Sequence, residues 1–287
     1  MLKLGSHMSI AGGYYNAVEA AAAAGCDCVQ LFTKNNNQWR AKPITSDESA
    51  AFAEALQRLK ICDPLSHSSY LINLASPDEA LRCKSVDAMV VELGRAHQLG
   101  ISGVVMHPGA FTTSSAEMGL KAIATSLREI FAATDNIATR ILLENTAGQG
   151  SCLGWQFEQL AIMIDSVPEH SDRLGVCIDT CHAFAAGYNL TTDGGFADMV
   201  KAMKNTFGLE RIRALHLNDS KKELGSRVDR HEHIGDGELG IESFRRVLTH
   251  PQLKKLPMYL ETEKGTDPQG VDWDVVNLQR LRSCVAK

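Results

Sequence analysis

The sequence predicts an α/β protein with a single (β/α)8 barrel, and three observations support this fold class. Eight apolar, strand-like runs alternate with eight stretches of helical spacing along the 287 residues. No linker rich in proline, glycine or serine, no low-complexity tract and no internal repeat divides them. Six of the runs end in histidine, aspartate or glutamate, and such a barrel builds its active site at the carboxyl ends of its strands. We therefore expect residues 1–287 to form one domain.

Each of the strand-like runs is short and apolar. In chain order they are LKLGSH (2–7), CVQLFT (28–33), PLSH (64–67), GVVMH (103–107), RILLE (140–144), LGVCID (174–179), IRALH (212–216) and LPMYLE (256–261). The last six end at His67, His107, Glu144, Asp179, His216 and Glu261. In a closed ring of parallel strands, all these ends meet at one mouth of the barrel.

The helical stretches between the runs complete a pattern of parallel βα units. They cover 14–24, 47–60, 78–99, 114–133, 154–165, 193–207, 240–248 and 272–284. An open, doubly wound sheet is the alternative, but it would place ligands at a single crossover point. Since the candidate ligands come from the third to the eighth run, we expect a closed TIM barrel.

Three of the connecting loops are longer than a minimal turn. They are TKNNNQWRAKP (33–43), SSYLINLASP (68–77) and NDSKKELGSRVDRHEHIGDGELG (218–240). Long loops on the catalytic face of a barrel usually carry substrate recognition. We therefore expect these three loops to recognise the substrate at the carboxyl-terminal face of the barrel.

The composition is ordinary for a globular protein, with 44% hydrophobic and 22% charged residues. No apolar stretch is long enough to span a bilayer, and the first residues lack the basic head and apolar core of a signal peptide. We therefore expect a cytoplasmic protein whose eight cysteines are reduced thiols. The net charge of −5 argues weakly against nucleic-acid binding, although three divalent cations would raise it to about +1, since −5 + 6 = +1.

Two short motifs add candidate metal ligands to the six strand ends. In the first, Asp179 ends a strand and His182 follows three residues later, in the turn. In the second, Asp229 and His231 alternate in extended chain, so both side chains can point toward one ion. A single histidine at a strand end is more often structural, and a lone carboxylate there can simply cap the next helix. Nine such coincidences are implausible, so we expect a metal centre.

The candidate ligands comprise five imidazoles and four carboxylates. They are His67, His107, Glu144, Asp179, His182, His216, Asp229, His231 and Glu261. Mixed nitrogen and oxygen ligation suits zinc, with manganese or iron possible, whereas a magnesium site would be nearly all oxygen. Nine ligands divide over three ions when one carboxylate bridges two of them. Three Zn²⁺ against four carboxylates leave a charge of about +6 − 4 = +2, which favours hydroxide and a phosphodiester as occupants.

Four segments of the chain closely match the motifs of a known family. They are GSHMSIAGG (5–13), LFTKNNNQWRAKP (31–43), GVCIDTCHAFAAGYNL (175–190) and ALHLNDSKKELGSRVDRHEHIG (214–235). From residue 2 to about residue 265, the chain resembles endonuclease IV, the type 2 apurinic/apyrimidinic endonucleases of DNA repair. The resemblance implies a TIM barrel with a trinuclear zinc site that cuts duplex DNA 5′ to an abasic nucleotide, leaving a 3′-hydroxyl and a 5′-deoxyribose phosphate.

By position, the resemblance divides the nine ligands among three zinc ions. The three sets are His67 and His107 with a bridging Glu144; the same Glu144 with Asp179, His216 and Glu261; and His182 with Asp229 and His231. In the family mechanism, a hydroxide between the first two ions attacks the phosphate, and the third ion stabilises the departing O3′ oxygen. Glu144 is then the catalytic residue, and no protein side chain acts as the nucleophile.

The resemblance also implies which loop residues open the DNA. Family members insert loop residues into the minor groove beside the lesion, and Gln38, Tyr70 and Leu71 match those positions. Tyr70 and Leu71 supply the apolar bulk expected of a wedge. This chain has Asn37 where the family pattern has arginine, and asparagine supplies neither the cation nor its flat stacking plane. We therefore expect Asn37 to alter the affinity for DNA or the preference among lesions.

Two other classes of protein fit parts of this pattern. A divalent-metal sugar isomerase or epimerase of the xylose-isomerase type would use four of the strand-end residues. His182, Asp229 and His231 have no role in that chemistry. A DNA-binding module without catalysis would need no open metal site. We therefore expect a zinc-dependent endonuclease that acts, as a monomer, on double-stranded DNA containing abasic sites, with no membrane partner.

Overall fold

The eight predicted strands pair in parallel and close into a barrel. The computed structural model describes residues 2–285. Its strands are β1 (Lys3–Met8), β2 (Cys28–Phe32), β3 (Cys62–His67), β4 (Gly103–Met106), β5 (Arg140–Glu144), β6 (Leu174–Asp179), β7 (Ile212–His216), β8 (Asp219–Ser220), β9 (His231–Glu232) and β10 (Pro257–Leu260). The barrel has the ring order β1-β10-β7-β6-β5-β4-β3-β2. The predicted barrel is confirmed.

Helices cover the outside of the barrel between successive strands. They are α1 (Tyr14–Ala23), α2 (Ser46–Leu59), α3 (Glu79–Gln98), α4 (Ala116–Ala133), α5 (Phe157–Asp165), α6 (Thr180–Ala186), α7 (Asp193–Thr206), α8 (Gly240–Thr249) and α9 (Trp273–Ser283). All except α6 begin and end within three residues of the predicted ranges. Helix α6 is not among the predicted stretches, and it carries the candidate ligand His182.

Helix α2 illustrates how the local sequence sets the start of an element. The backbone N–H of Glu48 donates to Thr45 Oγ1 at 3.2 Å, and the backbone N–H of Thr45 donates to the Glu48 carboxylate at 2.7 Å. This reciprocal capping box satisfies two amides that have no partner within the helix. It fixes the point at which the long loop after β2 becomes helical.

Alternate side chains on each barrel strand point into the barrel and out toward the helices. On β5, Ile141 and Leu143 belong to the large core beneath the helices, whereas Leu142 points inward. The inner cluster consists of Cys28, Leu65, Val105, Leu142, Cys177, Ala214 and Tyr259. The next inward position on each strand lies two residues further along, so a second layer of side chains lies above this cluster at the mouth.

At β1, the position next to the inner cluster is occupied by a glycine, Gly5, which contributes no side chain. A Cβ atom on Gly5 would lie 2.1 Å from the backbone oxygen of Cys28, its partner in register on β2. No larger residue fits there without moving the backbone of β2. Gly5 thus permits the close approach of β1 and β2 that helps to close the ring.

The loop predicted over 218–240 contains structure of its own. Its first residues form β8, which pairs antiparallel with β9. Asp219 organises the loop, since its buried carboxylate accepts hydrogen bonds from the backbone N–H groups of Gly235 and Leu239, both at 2.9 Å. The segment carrying Asp229 and His231 is therefore held against the barrel mouth.

Half of the cysteines lie in the interior. Cys26, Cys28, Cys177 and Cys181 are buried, and all eight cysteines are free thiols. Among the residues described here, none of the helices combines the length and the apolar character needed to cross a lipid bilayer.

Candidate metal centre

The six strand-end residues form one layer at the mouth of the barrel. Each lies two residues beyond a member of the inner cluster: His67 after Leu65, His107 after Val105, Glu144 after Leu142, Asp179 after Cys177, His216 after Ala214 and Glu261 after Tyr259. Because the side-chain period of a strand is two, all six side chains point inward. Glu144, Asp179 and His216 are fully buried.

His182 lies in a helix, not in the predicted turn. Helix α6 starts directly after β6, and Asp179 is its N-cap residue, with Oδ1 accepting from the backbone N–H of His182 at 2.7 Å. An N-cap carboxylate satisfies an otherwise unpaired amide of the first turn. The cap therefore fixes the spacing between the Asp179 carboxylate and the His182 ring, which the sequence pattern could not show.

The ligand atoms of the nine predicted residues come within 4.8 Å of one another in three groups. These groups are His67, His107 and Glu144; Glu144, Asp179, His216 and Glu261; and His182, Asp229 and His231. The structure thus brings together all nine predicted residues, and Glu144 belongs to two of the groups. That metal ions bind to them stays a prediction.

Glu144 lies at the centre of the candidate site, with its two oxygens facing different histidines. Oε2 lies 3.2 Å from His67 Nε2 and 3.3 Å from His107 Nε2. Oε1 lies 2.9 Å from His216 Nδ1 and 3.3 Å from His182 Nδ1. One carboxylate therefore connects two groups of candidate ligands through separate oxygens.

Backbone carbonyls set the ring orientation of three histidines. Nδ1 lies 2.8 Å from the Ser68 oxygen in His67, 2.9 Å from the Asn145 oxygen in His182 and 3.2 Å from the Glu261 oxygen in His231. A carbonyl only accepts, so Nδ1 carries the proton in each ring. Nε2 is then the ring nitrogen left to bind a metal ion at the centre, as a metal-binding imidazole requires.

His231 Nε2 is buried without a hydrogen-bond partner among the described residues. The nearest carboxylate oxygens are Asp229 Oδ1 at 3.3 Å and Asp179 Oδ2 at 3.8 Å. Buried polar atoms in folded proteins are rarely left unpaired. This orphaned nitrogen, between two carboxylates, is the observation that a bound cation would explain.

Glu144 and Asp229 are anionic at neutral pH. Burial by itself raises the pKa of Glu144, but the charges of His216 and His107 outweigh burial and hold the pKa well below its ordinary value. Burial also raises the pKa of Asp229, and the hydrogen bond and charge of His182 reverse this and lower the pKa to about 2. Ionised carboxylates among imidazoles suit a cation better than a neutral ligand.

Cys181 is close to Asp179 and His231 but is a poor candidate for a ligand. Its sulfur lies within 4.8 Å of ligand atoms of both residues. Burial raises the pKa of its thiol to about 12. Since the thiolate is the form that binds metal, the raised pKa disfavours Cys181 as a ligand relative to the imidazoles and carboxylates.

Two buried asparagines that sequence reasoning missed position the ligands. Asn145 Oδ1 accepts from the backbone N–H of Asp179 at 2.8 Å. Asn218 Nδ2 donates to Asp179 Oδ2 at 2.6 Å, and its Oδ1 accepts from the backbone N–H of Glu261 at 2.8 Å. The only sequence signal for these residues is that each follows a strand-end ligand by one or two positions.

The predicted DNA-binding residues lie on two loops at the rim of the mouth. Asn37 and Gln38 are exposed on the loop after β2. Tyr70, on the loop after β3, exposes 57% of its surface while its ring lies 5.3 Å from the ring of His67. Leu71 follows it and is partly buried. The structure places Tyr70 directly beside the candidate ligands His67 and His107, and the other three residues on the same two loops.

A buried ion pair joins these two rim loops. Lys34 Nζ lies 3.1 Å from Glu92 Oε1, and the two side chains are only 3% and 1% exposed. Lys34 also donates to the backbone oxygen of Gln38 at 2.8 Å, and Glu92 accepts from the backbone N–H of Ser69 at 3.3 Å. Helix α3, which carries Glu92, therefore anchors both loops at once.

Cavities lie on two sides of the candidate centre. One, of about 440 Å³, is lined by His7, Phe32, the segment 35–37 and Lys264. The other, of about 460 Å³, is lined by residues that include His107, His182, Asp229 and Arg230. Each cavity carries a basic side chain at the mouth, a feature that suits a polyanion passing over the barrel.

Comparison with known proteins identifies the family. The family described as xylose isomerase-like TIM barrel matches residues 18–283. A protein of Trichlorobacter lovleyi named probable endonuclease 4 is 46% identical over 280 residues, which cover 98% of each chain. The chain belongs to the endonuclease IV family.

Solved structures extend this assignment. Endonuclease IV from Thermus thermophilus is 37% identical, with a TM-score of 0.84 over 99% of this chain and 98% of that chain. A D-tagatose 3-epimerase-like protein is 19% identical, with a TM-score of 0.72 over 99% of this chain and 97% of that chain. The second likeness shows the fold alone. The endonuclease IV resemblance seen in the motifs is therefore confirmed.

Proposed function

We propose that this endonuclease IV family member is a zinc-dependent DNA-repair hydrolase. It cuts the phosphodiester bond 5′ to abasic sites in duplex DNA and leaves a 3′-hydroxyl and a 5′-deoxyribose phosphate. The observation that carries the proposal is the position of Glu144, whose two oxygens face separate groups of imidazoles at 2.9–3.3 Å. A carboxylate placed in this way is suited to bridge two ions.

The residues present fit three zinc ions. Five imidazoles and four carboxylates form the donor set, and within residues 2–285 the third group contains a donor atom, His231 Nε2, without a hydrogen-bond partner. Mixed donors of this kind suit zinc, with manganese or iron as substitutes. Bound zinc would lower the pKa of a water molecule and neutralise negative charge on the phosphodiester.

The chain's own residues hold this donor set and seat the DNA beside it. Asn145, Asn218 and the Asp179 cap keep the carboxylates in fixed orientations before substrate arrives. Tyr70 and Leu71 stand at the rim, where they can enter the minor groove and hold the helix open. Preorganised groups of this kind stabilise the transition state without rearranging during the reaction.

A sugar isomerase or epimerase is the second candidate function, and the nine-residue centre argues against it. The group of Glu144, Asp179, His216 and Glu261 would be enough for that chemistry. It leaves His182, Asp229 and His231 unused, together with the exposed rim loops.

Cleavage of a duplex with a single abasic analogue tests the proposed function directly. We expect one cut 5′ to the lesion and a product whose 3′ end a polymerase extends. An intact duplex serves as the control and should stay uncut. Isomerisation of a ketose without cleavage of the duplex would favour the second candidate.

The metal content of the purified protein is a separate prediction. We expect about three metal ions per chain, mostly zinc, since the nine donors form three groups. His231→Ala removes a donor from the third group alone and should lose one ion. Elemental analysis gives the count, and fully active wild-type protein with one or two ions would contradict the trinuclear assignment.

Asn37→Arg should tighten binding to abasic DNA. Asn37 is exposed beside the cavity that Lys264 lines, where an added cation can contact a phosphate. One further phosphate contact should steepen the slope of log affinity against log salt by about 0.9. Asn37→Gln is the matched control, because it adds length without charge. Superimposable binding curves for Asn37→Arg and wild type across several salt concentrations would refute this.

We further propose that the protein acts in the cytoplasm, on the nucleoid when bound to DNA, and as a monomer. The support for a monomer is that all nine candidate ligands come from one chain. The support for the compartment is the proposed substrate, together with eight cysteines that are all free thiols.

A further inference from the structure

Gln30 is a buried polar residue in the same layer as the candidate ligands. It lies on β2, two residues beyond Cys28 of the inner cluster, just as each strand-end ligand lies two residues beyond its own member. Its side chain is fully buried. An amide in such a place is costly unless its polar groups are bonded. The identity of its partners therefore indicates what it does.

The hydrogen bonds of Gln30 determine which way its amide points. Its nitrogen lies 2.5 Å from Glu261 Oε1 and 3.1 Å from His7 Nδ1. An ionised carboxylate only accepts hydrogen bonds, so the atom facing Glu261 must be the amide nitrogen. Its two hydrogens serve Glu261 and His7, and the amide oxygen then faces His216.

This orientation also determines where His216 carries its proton. The Gln30 oxygen lies 2.9 Å from His216 Nε2, and an amide oxygen only accepts, so Nε2 carries the proton. Nδ1 faces Glu144 Oε1 at 2.9 Å and Glu261 Oε2 at 3.3 Å, where a bound cation would take the place of a second ring proton. His67, His182 and His231 have the reverse arrangement, in which a backbone carbonyl holds Nδ1. His216 is thus oriented by a side chain instead.

We propose that Gln30 is a positioning residue of the metal centre, which holds His216 in the tautomer that offers Nδ1 to the second group and orients Glu261 in that same group. This inference rests on the proposed function, because it requires a metal ion to bind there. One amide serves two of the four donors of the second group. Loss of Gln30 should therefore weaken the binding of one metal ion and leave the binding of the other two unaffected.

Gln30→Met tests this, because methionine fills a similar volume but neither donates nor accepts strongly. Removing an outer partner of a metal ligand typically costs about 10–100-fold in metal affinity. We expect the affinity for one of the three zinc ions to fall by this factor, as measured by competition with a chromophoric chelator. In ¹⁵N NMR spectra of the zinc-loaded protein, His216 should be bound through Nδ1 with a protonated Nε2 in wild type, and should lose this single state in the variant.

Gln159→Met is the matched control. Gln159 is also a buried glutamine, but its side chain bonds to the backbone N–H of Gly154 and to Gln156, neither of which is a candidate ligand. This variant should retain all three ions at wild-type affinity. If it loses zinc as readily as Gln30→Met does, the effect is general destabilisation and the inference is wrong.

The remaining outcomes separate this inference from the proposed function. If wild type binds three ions, and Gln30→Met binds them with unchanged affinity and an unchanged His216 signal, Gln30 has no positioning role and the proposed function stands. If wild type binds no ion at these residues, the proposed function fails and this inference fails with it.

Discussion

Glu144→Gln is expected to slow cleavage of abasic DNA at least 10²-fold, equivalent to about 2.7 kcal/mol of transition-state stabilisation. Each oxygen of Glu144 faces a different pair of imidazoles. Glutamine keeps the shape but replaces one carboxylate oxygen with an amide nitrogen that cannot bind metal. The side chain therefore cannot bridge the ions of the first two groups of ligands. The affinity for abasic DNA should change far less, because that affinity comes from the rim loops and from the positive charge that remains at the metal centre.

Single-turnover cleavage and equilibrium binding, measured on the same preparations, test this prediction. Metal content must be determined in parallel so that loss of an ion is not mistaken for lost chemistry. Glu169→Gln is a suitable control, since Glu169 lies before β6 at the opposite end of the barrel and is half-exposed. If the metal-replete Glu144→Gln protein cuts within a few-fold of wild type, Glu144 is not a bridge.

Glu92→Ala is expected to destabilise the fold strongly and to disturb DNA binding with it. The variant leaves the Lys34 ammonium buried without its carboxylate, which typically costs about 3–5 kcal/mol. For a chain of this size, that corresponds to a fall in melting temperature of roughly 10 °C. The same change removes the acceptor of the Ser69 amide, so the loops that carry Gln38 and Tyr70 lose their common anchor.

Thermal unfolding and DNA binding of three variants test this anchor. The double variant Lys34→Met/Glu92→Leu removes both charges, and we expect it to recover most of the stability that Glu92→Ala loses. Glu117→Ala breaks the exposed pair with Lys121 and should leave the melting temperature almost unchanged. A Glu92→Ala protein as stable as Glu117→Ala would show that the buried pair does not hold the loops.

The strand ends could be predicted from the sequence because their information is local. An apolar run followed by histidine or a carboxylate places that residue at the end of a strand, and the period of two sets the face to which it points. His67 and Glu144 were found in this way, and the structure places both in the mouth layer. Assigning them to metal ions needed the family resemblance, and that assignment stays a prediction.

Helix α6 and Gln30 could not be predicted with the same reasoning. The helix is only seven residues long and starts directly at a candidate ligand, so no helical period was visible. Gln30 stands within an apolar strand as an uncharged residue, and nothing in its neighbours along the chain marks it. Its partners His216 and Glu261 lie 186 and 231 residues away. Only closure of the barrel brings them together.

The sequence by itself determined the barrel, the order of its elements, the family and the identity of the candidate ligands. These follow from periodicity and motifs, which depend on residues close together in the chain. The tertiary structure alone decided which donors share a group, which ring nitrogen each histidine presents, and how Lys34 and Glu92 join the rim loops. Those features depend on distances of about 3 Å between residues far apart in the chain, and hydrogen bonds and ion pairs form only once folding has brought such residues together.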